Sequence, residues 1–89
     1  MAERVWYIPE DITWKLLPSG VVVLSLNEGS YYSFNETGSL VWQDIVARKN
    51  HDEIVDHVAD SFDCTEAQAR ADVKEFVEYL RQERLLCAE

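Results

Sequence analysis

The alternation of apolar and polar residues predicts that the first half of the chain is built from strands. The segment "ITWKLL" (Ile12–Leu17) alternates, "VVVLSL" (Val21–Leu26) is rich in β-branched residues, and "SYYSF" (Ser30–Phe34) follows. Read as a strand, the second segment places three apolar residues on one face: Val22, Leu24 and Leu26. The short turns "PSG" and "NEG" between the segments are typical of hairpins. We therefore expect a three-stranded antiparallel meander.

Beyond Phe34 the apolar spacing changes from two residues to three or four, which predicts helices. Either Asn35 or Thr37 can cap the first helix, because both side chains accept a hydrogen bond from an unpaired backbone N–H. Asn50 followed by Glu53 resembles the capping box of a second helix. The first two helices are therefore predicted to be joined by a short connection.

A third helix is predicted from about Glu66 to Arg84, opened by a capping box formed by Thr65 and Gln68. Its apolar stripe consists of Ala69, Val73, Phe76, Val77 and Leu80. The order β-β-β-α-α-α predicts an α+β fold, a winged helix-turn-helix in which the helices cover one face of the small sheet. We expect residues 1–89 to form one domain.

Composition adds limits to this picture. No apolar run approaches the ~20 residues needed to cross a bilayer, and no signal peptide is recognisable, so we expect a cytoplasmic protein. Cys64 and Cys87 are then expected to remain reduced thiols. Near the N-terminus, residues 5–8 precede Pro9 and have no clear period, so either a short strand or an arm packed on the domain is predicted.

Charge argues against nucleic acid as a partner, although winged helices usually bind it. The net charge is −9, and residues 51–89 carry eleven acidic side chains and four basic ones. The predicted second helix has no basic residue, and the third has more acids than bases. Contacts to phosphates dominate affinity for DNA, and this field opposes them. The surface favours basic partners or serves simply as a solvated face.

No pattern in the sequence predicts catalysis, a cofactor or a metal. His51 and His57 are six residues apart and do not share a helical face, so Asp56 and Asp60 beside His57 are better explained as a solvated acidic surface than as ligands. The serines form no nucleophile elbow, and with three glycines the chain has no phosphate-binding loop. We expect a protein that is not an enzyme.

The third predicted strand, "SYYSF", has no lysine or proline, the residues that usually block a sheet edge. An uncharged aromatic edge suits the addition of a peptide strand, and tyrosines are favourable interface residues. The competing interpretation makes Tyr32 and Phe34 core residues and Tyr31 a chance surface aromatic. The residues alone do not separate the two interpretations.

Three stretches between Gly29 and Leu86 resemble the PqqD-like family, the recognition elements for precursors of ribosomally synthesised and post-translationally modified peptides. They are "GSYYSFNETGSLVW", "EIVDHVADSF" and "ADVKEFVEYLRQERLL". The resemblance implies a winged helix-turn-helix that binds the leader of a precursor peptide and delivers it to a maturation enzyme. It also implies that the leader adds antiparallel to the third strand and lies against the third helix.

Carried over by position, the implied peptide-binding residues are Tyr31, Tyr32, Ser33, Phe34, Asp72, Val73, Phe76 and Val77. A free-standing domain of this size resembles the leader-binding subunit of split lasso-peptide systems, whose partner is a leader peptidase. The alternative is a PQQ-type peptide chaperone for a radical enzyme. Neither the membrane nor nucleic acid is expected as a partner.

Overall fold

The computed structural model describes residues 5–88 of the chain. Its elements are β1 (Trp6–Tyr7), β2 (Ile12–Leu17), β3 (Gly20–Ser25), β4 (Ser30–Ser33), α1 (Glu36–Val46), α2 (His51–Ser61), α3 (Glu66–Gln82) and β5 (Cys87–Ala88). The antiparallel sheet β2-β3-β4 followed by three helices confirms the predicted α+β fold. The N-terminal segment forms β1, which pairs with β5 in a separate two-stranded sheet that the sequence did not predict.

Two tight turns set the register of the three-stranded sheet. Leu17 pairs with Gly20 across the first hairpin, and Ser25 pairs with Ser30 across the second. Gly20 has φ +131°, and a Cβ there would lie 2.6 Å from the carbonyl oxygen of Phe34, so only glycine fits this position. Gly20 therefore allows the start of β3 to pack closely against the backbone at the end of β4.

The buried face of β3 is opposite to the apolar face read from the sequence. Val21, Val23 and Ser25 are buried against the helices, whereas Leu24 and Leu26 are exposed. A run of three valines is compatible with either face, and the register with β2 and β4 decides which valines point towards the helices. Val22, Leu24 and Leu26 do share one face, as the sequence predicts, and it is the face that points away from the core.

The helix caps follow the predicted residues. The Asn35 side chain accepts the Gly38 N–H, and Asn50 forms the reciprocal capping box with Glu53. At α3 the side chain of Thr65 accepts the N–H of Gln68, while the Gln68 amide donates to Asp72 at 2.9 Å rather than returning to the cap. Of the two hydrogen bonds of the predicted capping box at α3, only the one accepted by the Thr65 side chain is formed.

The third helix ends at Gln82, two residues before the predicted end. Arg84 has φ 61°, a left-handed conformation, and the N–H of Leu85 donates to the carbonyl of Leu80 at 2.9 Å. This cap turns the chain back, so that Leu85 and Leu86 are buried and β5 reaches β1. Cys64 and Cys87 are free cysteines.

One core lies between the sheet and the helices. Its largest fully buried side chains are Trp42, Ile45, Ile54, Leu80 and Leu85. Trp6 of β1 belongs to the same core, so the N-terminal segment contributes to packing as well as to strand pairing. In the described part of the chain, no helix combines the length and hydropathy needed to cross a membrane.

Candidate functional site

The sheet has two edges, β2 and β4, and they differ in how they are protected. Strand β2 carries Lys15 in its middle, and a charged side chain discourages the pairing of another strand. Strand β4, Ser30–Ser33, carries neither a charge nor a proline. Of the two edges, β4 is the one left available for an added strand.

The hydrogen-bond pattern identifies the groups that β4 presents outward. The N–H of Phe34 donates to the carbonyl of Val21 at 2.9 Å, which makes this a hydrogen-bonded pair. Bonded and non-bonded pairs alternate along an antiparallel ladder, so Tyr32 also bonds to β3, and the N–H and C=O groups of Tyr31 and Ser33 point away from the sheet. A guest strand would find two donors and two acceptors there.

The C-terminal end of β4 is anchored by a serine of α1. The buried Ser39 hydroxyl accepts the N–H of Val21 at 2.8 Å and donates to the carbonyl of Phe34 at 3.2 Å. These two bonds join β3, β4 and α1 at the point where the strand becomes the helix. The edge is therefore held in place before any partner arrives, which lowers the ordering cost of binding.

Just beyond the C-terminal end of β4, between the start of α1 and α3, lies a cavity of about 410 Å³, which we call the β4–α3 groove. Its lining comes from the start of α1 and from one face of α3: Asn35, Thr37, Gly38, Asp72, Glu75, Phe76 and Tyr79. The lining includes two aromatic rings and two carboxylates. The groove therefore has an apolar floor and a polar margin, a common combination in binding sites.

Four aromatic rings connect the strand to the groove floor. The rings of Phe34 and Phe76 meet edge to face at 5.0 Å, and those of Tyr32 and Tyr79 at 6.5 Å. Phe76 also stacks on Tyr79, with their centroids 6.3 Å apart. These contacts fix α3 against the helix-facing side of β4, so the distance between the strand edge and the helix is set by ring packing.

Gly38 allows this packing on the α1 side. A Cβ at Gly38 would lie 3.0 Å from the Phe76 ring and 3.1 Å from Cβ of Phe34. Any larger residue would push the Phe76 ring towards the groove. Gly38 of the "NETG" motif is therefore needed for close approach of the two helices rather than for an unusual backbone angle.

At the other end of the strand, Tyr32 is tied to the C-terminal end of α3. Its hydroxyl donates to Glu83 Oε1 at 2.9 Å. This hydrogen bond to Glu83, with smaller contributions from burial, raises the pKa of Tyr32 above its usual value, and the nearby charge of Glu28 acts in the same direction. The phenol therefore remains a hydrogen-bond donor throughout the physiological range.

Of the predicted site residues, Asp72 and Phe76 line the groove, and the rings of Tyr32 and Phe34 contact its lining. Tyr31 is 67% exposed on the outer face of β4, and Ser33 is exposed beside it. Tyr32 and Phe76 are half-buried, and Asp72 is exposed at the margin. Phe34 is only 7% exposed, so it supports the floor from below.

Two of the predicted residues lie on the wrong face of α3 for direct contact. Val73 is completely buried and Val77 is 5% exposed, both packed in the core. An amphipathic helix turns an apolar stripe towards the core, and Val73 and Val77 lie in the middle of that stripe. The groove is lined by the adjacent face of α3, which carries Asp72, Glu75, Phe76 and Tyr79. We therefore correct Val73 and Val77 to core residues; the peptide-binding role of the others stays a prediction.

Sequence reasoning missed Glu75 and Tyr79, which line the groove, and Glu83, which accepts the hydrogen bond of Tyr32. Helical spacing from the two predicted α3 residues identifies all three. Glu75 and Tyr79 lie three and seven residues after Asp72, and Glu83 lies seven residues after Phe76. No such signal points to the start of α1. Its residues reach the groove only because the chain turns at the end of β4.

His57 has a different role from the one considered in the sequence. Its Nδ1 lies 2.7 Å from Oδ2 of Asp44, whose buried carboxylate also meets Lys49 Nζ at 3.3 Å. These contacts join α1 to α2 and do not involve Asp56 or Asp60. Among the described residues, no group of three or more His, Cys, Asp or Glu side chains is placed to hold a metal ion.

Comparisons with known proteins point to one family. Residues 20–86 match the family model described as coenzyme PQQ synthesis protein D (PqqD). A solved structure of TbiB1 in complex with the TbiA(beta) leader peptide is similar, with a TM-score of 0.84 and 25% identity over 89% of this chain and 92% of that one. No curated protein sequence matched.

A second solved structure, lasso peptide synthetase B1 complexed with the leader peptide, has a TM-score of 0.86. It is 17% identical and is covered over 96% of its length, against 92% of this chain. This likeness supports the fold. Both matches cover about nine tenths of this chain or more, whereas the family model covers residues 20–86.

Proposed function

Because the chain belongs to the PqqD family, we propose that it is a non-catalytic adaptor that binds the leader of a ribosomally synthesised precursor peptide. The leader would add to β4 as an antiparallel strand and lie in the β4–α3 groove. The observation that carries this proposal is the open edge of β4, which has outward backbone groups at Tyr31 and Ser33 and, at Tyr32, a ring contact with Tyr79 of the groove. The similar TbiB1 chain, solved with a leader peptide, supports it.

The register of β4 determines which guest side chains enter the groove. Side chains alternate between the two faces of a strand, and neighbouring strands share the alternation. Guest residues beside Tyr32 and Phe34 therefore face α3, whereas residues beside Tyr31 and Ser33 face the outer side of the sheet. In an antiparallel guest, the residue beside Phe34 comes two positions before the residue beside Tyr32.

The expected affinity is moderate. Four backbone hydrogen bonds at Tyr31 and Ser33 contribute about 0.5–1.5 kcal/mol each, and the aromatic floor adds burial of one or two apolar side chains. An interface of ~1,000–1,600 Å² with a preformed groove suits dissociation constants from micromolar to tens of nanomolar. Such affinities allow a leader to be held during modification and then released.

We infer that the adaptor delivers its leader in the cytoplasm to a separate maturation enzyme. The lasso-peptide type is favoured, with a leader peptidase as partner, because a chain of the same fold is a lasso peptide synthetase B1 solved with the leader peptide. The matching family model is named for a coenzyme PQQ synthesis protein, so delivery to a radical enzyme is the second candidate. Reconstitution with either class of enzyme separates the two, since only the matching enzyme should process the precursor faster when the adaptor is added.

Amide hydrogen exchange tests the binding mode directly. A synthetic precursor leader that binds the protein should protect the amides of Tyr31 and Ser33, which water satisfies in the free protein. The amides of Tyr32 and Phe34 are internal controls, because they already bond to β3 and should change little. A bound leader that leaves Tyr31 and Ser33 exchanging freely would place the peptide on another surface.

A further inference from the structure

The α3 side of the β4–α3 groove carries negative charge without a compensating cation. Asp72 and Glu75 line the groove, and among the described residues that line it there is no Lys or Arg. One turn beyond Tyr79, Glu83 holds the hydroxyl of Tyr32 and extends the negative stripe along the strand. The acidic residues of this face therefore extend from the groove, at Asp72 and Glu75, to Glu83 beside Tyr32 of β4.

The basic residues of α3 are turned elsewhere or already engaged. Arg70 donates to Asp52 at 3.2 Å and to Glu66 at 3.3 Å, and the Arg81 guanidinium lies 5.7 Å from the Trp6 ring centroid. Lys74 follows Asp72 by two residues, about 200° round the helix, and lines an adjoining cavity that shares Glu75 and Tyr79 with the groove. None of the three reaches into the groove lining.

The two carboxylates at the margin remain available to a guest. Asp72 accepts one hydrogen bond through Oδ1, from the Gln68 amide at 2.9 Å. Both carboxylates are exposed, so they keep their hydration in the free protein, and neither takes part in the ion pairs found among residues 5–88. Both lie on the same side of Phe76 round the helix, and the half-buried Phe76 ring lines the groove with them.

From this arrangement we infer that the groove selects a leader with a lysine or arginine at the position beside Phe34. The inference rests on the proposed strand addition, which points that guest side chain at α3. The aliphatic stem would pack on the Phe76 ring, and the cationic head would reach Asp72 and Glu75. Two residues later, an apolar or aromatic guest side chain would meet Tyr79 and Tyr32.

Repulsion strengthens the selection. A leader with Asp or Glu at the same position would place a third carboxylate beside Asp72 and Glu75, and like charges at short range disfavour binding. An uncharged polar residue would lose the attraction without adding repulsion. The expected preference therefore runs from basic to neutral to acidic at one guest position, while the backbone contacts remain the same.

A yeast-displayed library of random 12-residue peptides tests this specificity. The library is selected in parallel against the wild-type protein, the groove variant Asp72→Asn/Glu75→Gln, and the control variant Asp56→Asn/Asp60→Asn. Both double variants remove two exposed acids, and the control acids lie on α2. The net charge of the two variants is equal, so non-specific attraction of basic peptides to an acidic protein affects both alike.

Wild type and control should select peptides with Lys or Arg two residues before an apolar residue, and the groove variant should lose this enrichment. For one selected peptide, changing the basic residue to Gln should weaken binding to the wild type by about 3- to 10-fold, as expected for a partly exposed charged pair. The same change should alter binding to the groove variant by less than about 2-fold, since the carboxylates that recognise it are gone.

Equal basic enrichment on the groove variant, or an acidic preference on the wild type, would overturn the inference. Either result leaves strand addition intact if the selected peptides still protect the amides of Tyr31 and Ser33. Selected peptides that bind without protecting those amides would instead refute the proposed strand addition and, with it, the position assigned beside Phe34. The two failures are therefore distinguished by the exchange measurement on the same peptides.

Discussion

Replacing Ser33 by proline removes one outward-pointing N–H from β4 and leaves the side that pairs with β3 intact. Ser33 forms a non-hydrogen-bonded pair with Val22, so its N–H is not part of the internal ladder. Proline is tolerated on an edge strand when its missing N–H faces solvent, and the residue before it is favoured in an extended conformation. We therefore expect Ser33→Pro to fold, with a loss of about 1 kcal/mol or less in the free energy of unfolding.

The effect on leader binding should be much larger. The variant loses one hydrogen bond worth about 0.5–1.5 kcal/mol, and the guest carbonyl that it served is left unpaired at a cost of about 1–3 kcal/mol. The sum, about 1.5–4.5 kcal/mol, corresponds to a dissociation constant raised about 10- to 2,000-fold. Fluorescence anisotropy with a labelled leader measures this change, and urea unfolding measures the stability of the same preparation.

The matched control lies on the other edge of the sheet. Leu16 of β2 is exposed, and the ladder phase turns its N–H outward, because Leu26 bonds to Asp11 and the bonded pairs alternate from there. Leu16→Pro should leave leader affinity within about 2-fold of the wild type, a change below ~0.5 kcal/mol. If Ser33→Pro is folded and binds leader as well as Leu16→Pro does, strand addition to β4 is not the binding mode.

Three further predictions concern the groove, its tyrosine and the surface of α2. Phe76→Ala should lower the free energy of unfolding by about 2 kcal/mol, less than a fully buried Phe, because its ring is half-buried against Phe34, and it should weaken leader binding at least ~10-fold; a folded variant with normal affinity would contradict its place in the groove floor. The pKa of Tyr32 should fall towards its usual value in Glu83→Gln, as measured by the ultraviolet absorbance difference from Tyr32→Phe. Its raised pKa means that the hydrogen-bonded form stabilises the fold at pH values below the usual tyrosine pKa, and this contribution is lost as pH rises through the folded pKa. We also expect the acidic surface of α2 to steer a basic maturation enzyme. Added salt should then slow association with the enzyme more steeply than it weakens leader binding, and equal salt slopes in stopped-flow measurements would argue against that role.

The sequence determined the elements because their signals are local. The change of apolar spacing after Phe34 depends on neighbouring residues only, and the caps at Asn35 and Asn50 are satisfied within one turn. The absence of charge on β4, which leaves its edge open, is likewise a property of four adjacent residues, Ser30–Ser33. These features were predicted in their positions and were confirmed as elements of the fold.

Only the tertiary structure decided which faces meet. Three consecutive valines permit either face of β3 to turn inward, and pairing with β2 and β4 selected Val21 and Val23. On α3 the core took Val73 and Val77, which left Phe76 and its neighbours for the groove. The pairing of β1 with β5 joins residues some eighty positions apart. A local pattern specifies that a face is apolar, but what covers it depends on contacts between distant segments, and those contacts placed the acidic margin of α3 beside the open strand.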